Sequence, residues 1–299
     1  MDKSSYFIKD RAMFGSFPTQ EAVDELERQG VRYFINLTNC DESKITPYKT
    51  KYNEINYPIL DRHVPTDWKS YAKFIIKLSD IIKTLKNGEL VYIHCKGGHG
   101  RSGVVVASLL CYIFGLTPEE SLEQTTKSHS KRSVMRDKWR KLGSPQTYHQ
   151  KCFVKGFFSS LYFFKTTKIG QCVGFSTFSS HQVSIKGFGT FPTAEACIQA
   201  YKCPSDTEYV KRQEESRTPL YSKIAGKKIT LRNDWYNVQE EIIYKVLEAK
   251  FSQHADLKEN LLNTGLRPII HSTSDYSIGN NKIGRALVKL RDQFYRQLD

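Results

Sequence analysis

The sequence predicts an α/β fold for its first half and a mostly helical α+β fold for its second. Three observations carry this expectation. Short apolar runs alternate with stretches of three- and four-residue apolar spacing across the first 130 residues, the pattern of strands and crossover helices in a largely parallel sheet. A Gly-rich turn joins an apolar strand to an apolar helix at residues 95–103. From about Gly156 the character changes: aromatics cluster at Phe157, Phe158, Tyr162, Phe163 and Phe164, Gly and Ser punctuate the chain as far as Gly189, and helical spacing then resumes.

Taken in order, residues 18–29 carry Ala22, Val23 and Leu26 before a stop at Gly30, which predicts a helix, and residues 31–37 read as a buried strand. A second strand is expected at 55–59. Tyr71, Phe74, Ile75, Leu78, Ile81, Ile82 and Leu85 form the apolar stripe of a helix with Thr66 as its N-cap and a stop at Asn87-Gly88. Residues 90–94 are a short apolar strand and 104–114 an apolar helix. Thr117-Pro118-Glu119-Glu120 is a capping box with proline at the first helical position. In the second half helices are expected at 193–201, 238–251, 257–262 and 283–298. The expected domains are 1–156 and 157–299, with no internal repeat.

The chain has 299 residues, 39% of them hydrophobic and 25% charged, a globular composition that excludes collagen-like and wholly disordered classes. The apolar run at 104–116 is interrupted by Ser108 and Gly115 and falls short of the ~20 residues of a membrane-spanning helix. Seven scattered cysteines without a CxxC pair suggest neither a disulfide framework nor a zinc site. A reducing compartment, the cytoplasm, is expected, with no metal and no cofactor. The net charge of +14 divides into +8 for residues 1–155 and +6 for the remainder, so both halves are suited to anionic partners.

The strongest chemical signal is His94-Cys95-Lys96-Gly97-Gly98-His99-Gly100-Arg101-Ser102-Gly103. Glycines let successive backbone N–H groups turn inward and build an anion nest at a helix N-terminus. Lys96, Gly97, Gly98, His99, Gly100 and Arg101 are the expected phosphate-binding residues. Arg101 can grip two phosphate oxygens in a bidentate fork. The same positive field favours the thiolate of Cys95, and Ser102 is placed to donate a hydrogen bond to its sulfur. A lone cysteine at a strand end is ordinarily a core thiol; here the glycines, the Arg at fixed distance and the strand–helix context coincide. Lys96 and His99 either tune specificity or face solvent. A thiolate displacing an alkoxide from phosphorus needs a proton donor, and Asp61, in the loop 57–65 after a strand, is the best candidate. Asp67 is more simply a helix-dipole residue, and Asp41 lacks the strand-and-proline context.

These residues resemble the cysteine-dependent protein tyrosine and dual-specificity phosphatase superfamily, whose signature is His-Cys, five residues, Arg, then Ser or Thr. The resemblance covers about residues 5–155 and implies a central parallel or mixed sheet flanked by helices. Its general-acid segment matches Pro58 to Pro65 with the acid at Asp61. It also implies that Gln150 orients the water that hydrolyses a phosphocysteine, with Gln146 as the competing choice. The implied partner is a phosphorylated protein, on tyrosine or on serine and threonine, or the 5′-phosphate of an RNA. The basic stretch Lys127, Lys131, Arg132, Arg136, Lys138, Arg140 and Lys141 suits any of these, though such runs are usually solvated.

In the second half, Glu195, Gln199 and Lys202 are four and three residues apart and form a polar stripe, by itself most simply an exposed helix face. The segments Gly174 to Phe178, Gly226 to Trp235, Ala249 to Gln253, Leu262 to Gly265, Asp275 to Gly279 and Gly284 to Arg291, in that order, resemble the NADAR family. That family is linked to NAD and ADP-ribose chemistry and includes N-glycosidases of riboflavin precursors and hydrolases of ADP-ribosylated bases. The resemblance spans about residues 158–299. It implies cleavage of a ribosyl C–N bond, with Glu195 and Asp275 stabilising an oxocarbenium-like state or activating water and Lys202 binding or protonating the base. Phe175, Phe178, Arg232, Asp234 and Trp235 are the implied ligand contacts. This chain has Ala196, Thr177 and Ile278 where the family has His, Asn and Trp. It therefore reads as a diverged glycosidase or as a binder of ADP-ribose-like ligands, and a catalytically silent reader of phosphate and ADP-ribose marks is the alternative for the whole chain.

Overall fold

The computed structural model describes residues 3–43, 45–165, 167, 170–272 and 281–298. The chain divides into two compact units, Met1–Ser159 and Ser160–Asp299. The division falls three residues beyond the expected 156, because Phe157 packs edge-on against Trp68 and Tyr71, each at a centroid distance of 5.1 Å, and belongs to the first core.

The first unit is built on β1 (Ser4–Ile8), β2 (Ala12–Ser16), α1 (Gln20–Arg28), β3 (Val31–Asn36), β4 (Asn53–Asn56), α2 (Trp68–Thr84), β5 (Leu90–Cys95), α3 (Arg101–Phe114), α4 (Pro118–Ser130), α5 (Asp137–Leu142) and α6 (Tyr148–Phe157). The sheet order is β1-β2-β5-β3-β4; only β1 and β2 pair antiparallel, and the other neighbours are parallel. The expected α/β sheet flanked by helices is therefore present. β5 lies at its centre with all six residues buried, as a strand covered on both faces requires. The chain leaves β5 at its C-terminal end, the edge at which such sheets place their ligands.

Helix α2 starts one residue later than expected. Asp67, not Thr66, is the N-cap, because its carboxylate accepts from both Lys69 N (2.9 Å) and Ser70 N (3.1 Å). The capping box of α4 forms as expected: Glu120 Oε2 accepts from Thr117 N at 2.9 Å and Thr117 Oγ1 from Glu120 N at 3.3 Å. Tyr71, Ile75 and Leu78 of α2 and Val104, Val105 and Leu109 of α3 are buried without exposure.

The second unit contains β6 (Leu161–Phe163), β7 (Val183–Ile185), β8 (Gly189–Phe191), α7 (Ala194–Ala200), α8 (Thr207–Glu214), α9 (Pro219–Ala225), α10 (Trp235–Gln253), α11 (Ala255–Leu262), β9 (Ile269–His271) and α12 (Lys282–Arg296). It is the expected mostly helical α+β arrangement, with a parallel pair β6–β9 and an antiparallel pair β7–β8. No helix among the described residues is long and apolar enough to cross a membrane.

Candidate active sites

In the first unit the loop 96–100 runs from the end of β5 to the start of α3, so its backbone amides lie at a helix N-terminus. Gly98 has φ +72°, and a Cβ there would lie 2.3 Å from the carbonyl carbon of Gly15. Only glycine fits. Four bonds fasten the loop from outside. Phe17 N donates to Lys96 O at 3.2 Å, Lys96 Nζ to Ser43 O at 2.7 Å, Arg132 Nη1 to Gly98 O at 2.8 Å and Ser144 Oγ to His99 O at 2.7 Å. His99 bonds His129 across 2.8 Å between Nδ1 and Nε2 and stacks on Trp139 at 4.9 Å. Burial pushes the pKa of His99 down to about 4.

Cys95 is buried, and its Sγ lies 3.6 Å from Ser102 Oγ. Arg101 is 1% exposed. Its Nη1 donates to Ile59 O at 2.9 Å and to Glu42 Oε1, and its Nη2 donates to Glu42 Oε2 at 3.0 Å. Asp61 Oδ1 lies 3.0 Å from the same Nη2 although the Asp61 side chain is 56% exposed. Arg101 Nε, also buried, has no hydrogen-bond partner. Burial alone would lower the pKa of Arg101, but Glu42, Cys95 and Asp61 outweigh it and hold the pKa raised; burial likewise works against the charge of Glu42, yet Arg101 holds that carboxyl below its ordinary range. Glu42 was not among the residues singled out in the sequence. Its only signal there is an acid in the loop following β3.

Gln150 is fully buried, but its amide is committed: Oε1 accepts from Thr147 N at 3.2 Å in a capping box, and Nε2 donates to His63 O at 3.1 Å. Both Gln150 and Gln146 touch the loop, since a Cβ on Gly100 would meet Gln150 Nε2 at 2.9 Å and Gln146 Cγ at 3.2 Å. Gln146 is half-buried, with no side-chain hydrogen bond among the described residues.

In the second unit the Glu195 stripe is not the exposed face its spacing suggests. Glu195 and Gln199 are 7% and 5% exposed. Glu195 Oε2 accepts from Thr177 Oγ1 at 2.7 Å, its Oε1 from Gln199 Nε2 at 2.8 Å, and its N–H donates to Thr177 O at 2.9 Å. Lys202 is half-buried; its Nζ reaches Gly226 O at 3.4 Å and lies 5.7 Å from the Trp235 ring centroid. Lys165 and Lys223 lie over the Phe178 ring. Burial lowers the pKa of Lys202 and of Lys223, and Glu195 raises each in part.

Four of the implied ligand contacts, Phe175, Trp235, Arg232 and Asp234, have partners within the protein. Phe175 is fully buried and packs against Phe163 and Phe251 at 6.1 and 5.6 Å, so it is core. Trp235 is 7% exposed and joins the core of α7 and α10. Arg232 and Asp234 engage each other through two hydrogen bonds. Asp275 lies outside the described residues. A further residue appears that the sequence did not single out individually. Lys250, fully buried, donates to Gly174 O, to Ser176 O at 2.8 Å and to Ser179 Oγ at 2.6 Å, fastening the loop that carries Thr177. No group of three or more His, Cys, Asp or Glu that could hold a metal ion occurs among the described residues.

The first 154 residues match the family model described as Swiss Army Knife protein, DSP-PTPase phosphatase domain, and residues 162–295 match the NADAR domain. The chain is 35% identical over 291 residues to "Putative tyrosine phosphatase 197R" of Invertebrate iridescent virus 6, covering 97% of this chain and 91% of that one. It belongs to the DSP-PTPase phosphatase family and carries a NADAR domain. The NADAR domain is 31% identical over 129 residues to the N-glycosidase YbiA of Escherichia coli strain K12, covering 40% of this chain and 79% of that one. The solution structure of E. coli YbiA matches with a TM-score of 0.42 at 28% identity, over 46% of this chain and 86% of that one.

Proposed function

We propose that the DSP-PTPase unit hydrolyses phosphomonoesters of tyrosine, serine or threonine side chains through a phosphocysteine. The observation that supports this most is the state of Arg101. Glu42 holds the guanidinium end-on, leaving buried Nε without a partner and Nη2 shared with Asp61. A phosphate taking Nε and Nη2 side-on replaces Asp61 there and frees its carboxyl for the leaving group. Cys95 Sγ then attacks phosphorus in line, the P–O ester bond breaks, and the Asp61 proton passes to the departing oxygen. Loop amides and Arg101 hold the three equatorial oxygens throughout. In the second half-reaction Asp61 takes a proton from water, the new P–O bond forms, and the S–P bond breaks to return the thiolate, with Ser102 Oγ donating to it. Gln146, whose amide is uncommitted, suits the orientation of that water better than Gln150.

Single-turnover assays test this. Cys95→Ser should abolish phosphate release. Asp61→Ala should slow release from phosphoserine by about 10²–10⁴-fold, the usual worth of general acid catalysis, and slow p-nitrophenyl phosphate far less because its leaving group needs little protonation. Equal losses on both substrates would refute the role of Asp61.

For the NADAR unit we propose cleavage of an N-ribosyl bond or retention of an ADP-ribose-like ligand, with Glu195 as the group facing the developing positive charge. The paired hydrogen bonds from Thr177 and Gln199 support this role because they leave the carboxylate acceptor-only and fixed. Glu195→Gln should remove turnover of N-ribosyl substrates; retained ADP-ribose binding with no turnover in the wild type would favour the binding reading.

A further inference from the structure

A pocket of about 210 Å³ opens beside the phosphate loop and shares Gly97 and His99 with it; Lys3, Ser16, Arg132, Arg136 and Trp139 line it together with the apolar Val134 and Met135. No Asp or Glu lines it. Lys3 and Arg136 are exposed, and neither side chain has a hydrogen bond or ion pair with another described residue. Arg132 is 3% exposed and spends its donors on neutral acceptors: Gly98 O at 2.8 Å, Phe14 O at 3.1 Å and Ser5 Oγ at 3.3 Å. Its charge is therefore buried beside the loop without a carboxylate to offset it, and burial lowers its pKa to about 10. Three cations around a small cavity, with no acid among the lining, favour an anion.

We propose that this pocket is a subsite for a second phosphate, the first internucleotide phosphate of a single-stranded nucleic acid whose 5′-phosphate sits in the Cys95 loop. The proposal rests on the reading of Cys95 as nucleophile and adds a substrate class to that site. A nucleic acid is favoured over a peptide because the cations continue beyond the pocket. Residues 127–141 hold seven Lys or Arg against one acid, Asp137, and Lys138 and Lys141, three apart and exposed, sit on the helix that Arg136 caps, so cations run on along the chain from the pocket. A strand supplies one phosphate per nucleotide to such a line, whereas a phosphopeptide supplies isolated ones. The chemistry is that of the phosphoserine reaction: Cys95 takes the phosphoryl group, the P–O5′ bond breaks, Asp61 protonates the 5′ oxygen, and water releases inorganic phosphate from sulfur.

The full chain is assayed for kcat/KM on p-nitrophenyl phosphate, uridine 5′-monophosphate, a 5′-phosphorylated tetrauridylate and a doubly phosphorylated Thr/Tyr peptide. Binding of 5′-phosphorylated and 5′-hydroxyl tetrauridylate to Cys95→Ser is read by fluorescence anisotropy across a salt series. The tetranucleotide should exceed the mononucleotide by about tenfold or more in kcat/KM, the worth of a charge-assisted contact. That ratio should fall toward one in Arg136→Ala and Lys3→Ala, and the slope of log affinity against log salt should shrink by about 0.7 per contact removed. Arg136→Lys should restore the salt slope. Overturning results are a ratio that ignores these substitutions, or a wild-type preference for the doubly phosphorylated peptide that they abolish. Failure to hydrolyse p-nitrophenyl phosphate would instead refute the Cys95 reading, and the anisotropy of Cys95→Ser would still decide the pocket.

Discussion

Arg101 shows why a buried cation needs a fixed partner before its ligand arrives. Taking a guanidinium out of water is costly unless donors and charge are answered, and Glu42, Ile59 O and Asp61 answer it. Glu42 does so on the edge opposite Nε and fixes the plane of the guanidinium. Glu42→Gln keeps the volume but replaces a charged acceptor with a neutral one. Its expected effect is a tenfold to hundredfold loss of kcat/KM on p-nitrophenyl phosphate, from roughly 1.5–3 kcal/mol of charge-assisted bonding. A variant with unchanged kcat/KM would show that Arg101 orients itself without Glu42. The sequence makes Cys95, Arg101 and Ser102 legible because loop chemistry fixes their spacing, and Asp61 legible because a strand and two prolines frame its loop. Glu42 is hidden because its partner is 59 residues away and nothing local distinguishes it from Asp41. Gln150 carries a competing local role: as the third residue of α6 it closes a capping box with Thr147, a bond that draws on the amide a water would need.

At the scale of elements, long apolar periodicity is what the sequence exposes and short or polar pieces are what it conceals. Helices α2, α3, α10 and α12 follow their apolar spacing, whereas α8 (TEYVKRQE) buries only Tyr209, Val210 and Gln213 and gives almost no stripe to read. β1 and β2 are five residues each, too short for alternation to separate them from a charged N-terminal segment. The loop 174–179 depends on a contact no local pattern announces, the three acceptors gathered by Lys250. Burial pushes the pKa of Lys250 down to about 7, while the three acceptors favour its charged form. In Lys250→Met the bonds to Gly174 O, Ser176 O and Ser179 Oγ are lost together with the cost of burying the ammonium. The net stability change is therefore small and the loosening local. Amide exchange at Phe175 and Ser179 should quicken by about tenfold or more while the centre of α10 is unchanged; uniform acceleration across the unit would mean that Lys250 supports the whole core. In the first unit, burial pushes the pKa of His94 down to about 3, of His129 to about 3 and of His99 to about 4. The unfolded chain takes up these protons near pH 6.5, so below that pH it binds more protons than the folded unit. Stability is complete above pH 6.5 and falls as the pH drops toward 4, by up to about 1.4 kcal/mol per pH unit for each histidine. Amide exchange at β5 measured between pH 7 and pH 5, corrected for intrinsic rates, should report that loss. Constant protection over this range would show that the histidines are charged in the folded unit.

Across the whole molecule the two candidate sites each gather cations but share no residues. Glu42, Asp61, Cys95, Arg101 and Gln146 all precede Ser159, and Thr177, Glu195, Gln199, Lys202 and Lys250 all follow Ser160. The positive charge is likewise divided, +8 and +6 at the 155/156 boundary, so neither half serves merely as a basic tail for the other. Changes in one catalytic group should therefore leave the other activity at its own rate. Glu195→Gln should alter kcat/KM on p-nitrophenyl phosphate by no more than about twofold, the spread of roughly 0.3–0.5 kcal/mol expected of independent positions. Cys95→Ser should leave ADP-ribose affinity equally untouched. The two measurements are made on the full chain, because a shift of tenfold or more in either would be a coupling free energy that must appear in both directions when read as binding. A one-sided change would point to damage of the folded unit that carries the substitution, and a reciprocal one would show that a phosphate ligand in the Cys95 loop and a ribosyl ligand at Glu195 report to each other.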